Sequence, residues 1–157
     1  MATYKQQLQR VWHHYETERG FVPATLREAV QWGVERGMIS VPDVDPLAKL
    51  VDDMSTALRE EYATDKQGRR YRVNHAVRAT RGGVQYTFWA ILPEAPREHM
   101  QKAFVQRREQ VVDDCVQLAT DVEAYNAMKA DQPPIPMLFD FRDDVEERRF
   151  WSGSEAA

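Results

Sequence analysis

Apolar side chains recur at helical spacing through the first third of the chain. Tyr4, Leu8, Val11, Trp12 and Tyr15 fall on one face. Thr3 followed by Gln6 has the form of a capping box, so a helix is predicted over residues 4–18, with Gly20 as its stop. Thr25 and Glu28 repeat the device ahead of Leu26, Ala29, Val30, Gly33 and Val34, which predicts a second helix over 26–37, closed by Gly37. Met38–Val41 reads as a very short strand. Asp45 and Pro46 make an N-cap and first-turn pair. They open a third predicted helix, 46–63, whose Leu47, Leu50, Val51, Met54, Leu58 and Tyr62 form one stripe.

The period then changes from 3.6 to two. After the turn Asp65–Gly68, Tyr71, Val73, His75, Val77 and Ala79 alternate with Arg70, Arg72, Asn74, Arg78 and Thr80. A second alternating run sets Val84, Tyr86, Phe88, Ala90 and Leu92 on one face. Gln85, Thr87, Trp89 and Ile91 take the other. Gly82-Gly83 tolerates positive φ at both positions, so the prediction is a hairpin, 69–80 with 84–92, turning there. A two-residue loop pairs Ala79 with Tyr86, Val77 with Phe88 and Val73 with Leu92. It also pairs Thr80 with Gln85 and Arg78 with Thr87. A one-residue slip would set Arg78 against Tyr86 and mix the faces.

Pro93 and Pro96 end the strand, and no Pro or Gly follows until after residue 129. Phe104, Val111, Cys115, Leu118, Val122 and Tyr125 recur at spacings near a heptad, with Arg108 interrupting. The helix predicted over 97–129 is roughly 50 Å long, more than a domain of this size covers. Part of the helix's stripe is therefore expected to pack against the first helix and part against another chain, with Val111, Cys115, Leu118, Val122 and Tyr125 as a homodimer interface. Residues 132–157 read as a Pro-rich linker and an acidic tail, with residues 137–141 an edge strand or docking peptide and the acids after them adding a turn of helix. The fold class expected is α+β and mostly helical, one domain over residues 1–131.

Charge sharpens the picture. Residues 1–65 hold 7 Lys/Arg and 11 Asp/Glu; residues 66–81 hold 6 Lys/Arg and no acid; residues 82–157 hold 8 and 14. A basic island between acidic flanks either meets an anionic partner or is covered by an acidic part of its own chain. Lys66, Arg69, Arg70, Arg72, Arg78 and Arg81 are its charges. Trp89 lies on the same outer face, placed to stack on a guanidinium, touch a base, or sit under the C-terminal tail.

No catalytic or metal constellation competes with this reading. One cysteine forms no internal disulfide and reads as a core residue of its stripe. His13-His14 are adjacent and diverge on a helix. Asp52-Asp53 and Asp113-Asp114 are neighbours, not opposed carboxylates. Asp140, Asp143 and Asp144 lack the EF-hand pattern. The chain is expected to be non-enzymatic, to bind no cofactor or metal, and, with a polar N-terminus and no long apolar run, to be cytoplasmic and free of membranes.

Helix, helix, short strand, helix and a basic Gly-tipped hairpin resembles the element order of winged helix-turn-helix domains. The long helix after the hairpin resembles the dimerisation helix of dimeric winged-helix regulators. The resemblance implies a winged-helix-like core and a transcriptional regulator that touches duplex DNA through its wing. The helix over 46–63 departs from that pattern. Its outward Asp52, Asp53 and Glu60 outnumber Lys49 and Arg59, so the wing would carry the contact. A protein–protein or accessory-subunit role in a bacterial or phage complex, meeting an acidic protein surface, is the alternative.

Overall fold

Thr3 begins the first helix, α1 (Tyr4–Arg19), in the computed structural model, which describes residues 1–155. Both capping boxes form. The Thr3 hydroxyl accepts from the Gln6 amide while Gln6 reaches back to the Thr3 N–H, and Thr25 and Glu28 do the same for α2 (Leu26–Glu35). Gly20 ends α1 in the left-handed region at φ 70°, where a side chain would be strained. The third helix, α3 (Pro46–Arg59), starts as expected, with the Asp45 carboxylate accepting from the Leu47 amide. The architecture is α+β and mostly helical.

The chain forms two compact units, Met1–Ser55 and Thr56–Ala157. In the first, α1 and α2 pack together and bury Val11, Tyr15, Ala29 and Gly33. Tyr15 meets the Trp32 ring edge-on at 5.7 Å, and Arg36 lies over that indole at 4.3 Å while reaching Glu18 at 3.4 Å. Residues 38–41 form no strand, and α2 stops two residues short of the expected end.

The second unit departs furthest from the sequence pattern. Helix α3 ends at Arg59, and Tyr62 leaves the predicted helical stripe to join strand β1 (Tyr62–Thr64). The single strand expected over 69–80 is two strands that change partner. Strand β2 (Arg70–Arg72) pairs with β1, and β3 (Asn74–Arg81) pairs with β4 (Val84–Ile91), both antiparallel. Val73 is the switch: its N–H donates to the Glu61 carbonyl and its own carbonyl accepts from the Leu92 amide. The neighbouring side chains hold the jog. Asn74 donates to the Leu58 carbonyl and to the Glu61 carboxylate, and His75 Nε2 donates to the Arg72 carbonyl. The β3–β4 register is the two-residue-loop register, with Ala79 opposite Tyr86 and Arg78 opposite Thr87.

The long helix α4 (Arg97–Met128) runs within one residue of its expected span. Its first turns pack on β3. Met100 and Ala103 are buried, and Phe104 meets the buried His75 ring edge-on at 5.5 Å. Two of its amides each grip an extended segment by both backbone groups. Gln106 accepts from the Arg78 N–H and donates to the Arg78 carbonyl, both at 2.9 Å. Asn126 does the same to Ile135, at 2.9 and 3.0 Å. Residues 137–141 form no strand, and a helix of nearly four turns rather than one, α5 (Arg142–Glu155), follows.

Candidate nucleic-acid interface

The turn of the β1–β2 hairpin is built by Asp65. Its carboxylate accepts from the Gln67 and Arg69 amides and from Arg69 Nε at 2.7 Å, and Gly68 takes φ 82°. Those bonds to Arg69, and the one from Gln67, hold the Asp65 pKa below its ordinary value. Arg69, expected to be a free cation, is thus spent on its own turn. Lys66 remains exposed at the tip.

Beyond the turn, Tyr62 pairs with Arg72 and Thr64 with Arg70, so these four side chains share one face. Arg70 lies over the Tyr62 ring at 4.0 Å. A guanidinium stacked on a phenol is held in place without being neutralised. Arg70 and Arg72 are both exposed. Sequence reasoning missed Tyr62 as part of this face, because its spacing continued the helical stripe. The signal for it lay in Tyr62-Ala63-Thr64 ahead of the Asp65–Gly68 turn.

The β3–β4 hairpin divides its charges. His75, Val77 and Ala79 face α4 and Arg78 faces away, as the alternation predicts. Arg81 does not join Arg78. Its guanidinium lies 4.9 Å over the Phe88 ring, on the α4 side of the hairpin. Trp89 is half-buried on the outer face, and the cation over it is Arg59 from the last turn of α3, at 5.5 Å, rather than a hairpin arginine. Among its described side chains, the acidic tail forms no ion pair with the island. Asp140 binds Arg142 at 2.7 Å, and among the described residues no ion pair joins Arg70, Arg72, Arg78 or Arg81 to a carboxylate.

His75 anchors this surface from beneath. Burial depresses its pKa, the bond to the Arg72 carbonyl acts in the opposite sense, and the Arg107 and Arg72 guanidiniums add to the depression. A carbonyl only accepts, so Nε2 carries a proton, and the ring packs edge-on against Phe104.

The second predicted surface lies along α4. Val111, Leu118 and Tyr125 are 57%, 42% and 45% exposed, while Cys115 and Val122 are half-buried. Cys115, Ala119, Val122 and Asn126 make one half-buried row that ends where Asn126 grips Ile135. The apolar stripe of α3 is open as well, with Leu47, Leu50, Val51 and Met54 all exposed. Among the described residues no helix is long and apolar enough to cross a membrane. No protein-family model, curated protein or solved structure matches this chain.

Proposed function

We propose that this chain is a non-enzymatic nucleic-acid-binding protein, a homodimer that holds duplex DNA with its basic hairpins in the manner of a winged-helix wing. The observation that carries the reading is the unneutralised set Lys66, Arg70, Arg72 and Arg78, with Tyr62 bracing Arg70. Exposed arginines on short ribbons suit phosphate contact, and a planar guanidinium matches two phosphate oxygens at once. The acids of α3 turn that helix away from phosphate; Lys49 is already paired with Asp53 at 2.8 Å.

The test is binding to random duplex DNA at increasing salt. With Arg69 held by Asp65, counterion release predicts a log–log slope of about −3 to −4 per subunit. Replacing Arg70, Arg72 and Arg78 with Ala should flatten it by about 2 to 3 and weaken all sequences alike. Absence of salt-dependent binding at about 50 mM salt would overturn this function. The accessory-subunit reading has its own support in the open apolar side chains of α3 and α4. It predicts tight association with a protein partner and no DNA binding.

A further inference from the structure

The long helix carries its charge the wrong way round for a lone helix. Residues 97–108 hold Arg97, Lys102, Arg107 and Arg108 against Glu98 alone. Residues 109–128 hold Glu109, Asp113, Asp114, Asp121 and Glu123 and no Lys or Arg. A helix macrodipole favours acids at its start and bases at its end, so both halves of α4 oppose it. Local pairing relieves little of this. Lys102 binds Glu98, and Arg108 reaches Glu109 at 3.6 Å, all on exposed side chains.

We infer that α4 pairs antiparallel with α4 of a second copy of this chain, its basic first third lying against the partner's acidic remainder. The occupant follows from charge and from the apolar row together. Antiparallel pairing centred between Asp114 and Cys115 sets Val111 opposite Leu118 and Phe104 opposite Tyr125, apolar on apolar. The same register brings Arg107 near Asp121, and the two macrodipoles run in opposition. A parallel pair would stack Arg107 and Arg108 on their own copies and the distal acids on theirs, like against like, inside a Debye length.

This inference rests on the self-association in the proposed function, and the experiment separates the two. Two single-cysteine proteins are made on a Cys115→Ser background, one Arg107→Cys and one Asp121→Cys, the second carrying a size tag. They are mixed at about 50 µM, well above a micromolar Kd, and treated with a short bismaleimide. Antiparallel pairing gives a crosslinked product between the tagged and untagged chains. Products of tagged with tagged and untagged with untagged overturn the orientation while leaving the dimer. Light scattering on the unmodified chain that shows a monomer overturns self-association itself. Leu118→Asp should give a monomer, and Val116→Asp, on the opposite flank of the helix, should leave the dimer intact. A dimer that survives Leu118→Asp places the interface elsewhere and overturns the inference.

Discussion

Gly33 shows how little room the α1–α2 contact leaves. A Cβ at that position would lie 2.6 Å from Val11 Cγ1 and 3.3 Å from Ile39 Cγ1. Val11 is β-branched and held in its rotamer by the helix, so it yields poorly. Gly33→Ala gains about 1 kcal/mol of helix propensity but forces apart two helices that share only a few buried side chains. The expected net effect is destabilisation by about 1–3 kcal/mol in urea unfolding. Val11→Ala added to it should recover part of that loss; a single variant as stable as the parent would show that the helices are not in close contact. His75 governs the second unit in another way. Its folded pKa lies below the ordinary imidazole value of about 6.5, so the unfolded chain binds the extra proton first. The stability that neutral His75 contributes is present above that value and declines as pH falls below it. Unfolding measured from pH 7 to 5 should show the decline, and His75→Gln, which keeps a donor for the Arg72 carbonyl without titrating, should flatten it.

At the scale of elements, legibility followed how local the cause was. Thr3, Thr25 and Asp45 act on amides two or three residues away, and each helix start is where the sequence put it. The Gly82-Gly83 turn and its register were equally readable, since one slip would have reversed every face. The partner change at Val73 was not. Residues 70–81 alternate without a break, and what divides them is Asn74 reaching Leu58 and Glu61, contacts across thirteen or more residues. The fate of the charges had mixed causes. Arg69 pairs with Asp65 only four residues away and Arg81 lies over Phe88 on the face its odd position shares with Ala79, whereas the indole of Trp89 meets Arg59 from another element. The exposed row on α4 was legible as a pattern, whereas the polarity of its charges took on meaning only once the helix proved continuous from Arg97 to Met128.

For the whole molecule, the proposed pairing of two copies would set the spacing of their β3–β4 hairpins. Each β3–β4 hairpin packs on its own α4 around the buried Ala103. In an antiparallel pair centred between residues 114 and 115, the two Ala103 positions stand about 23 residues apart along the helices, or about 35 Å. One turn of B-DNA is about 34–36 Å, close to the spacing of the two Ala103 anchors, so a DNA-binding dimer is expected to meet one duplex with its two copies a turn apart. A dimer that uses both should release twice the counterions of a monomer. The salt slope of the parent protein is then expected to be about twice that of Leu118→Asp, and its footprint to show two protected stretches about 10 base pairs apart. The Arg70, Arg72 and Arg78 triple variant should remain dimeric and lose slope at both stretches together. If Leu118→Asp is monomeric yet binds with the slope of the parent, each hairpin acts alone and pairing along α4 serves something other than DNA.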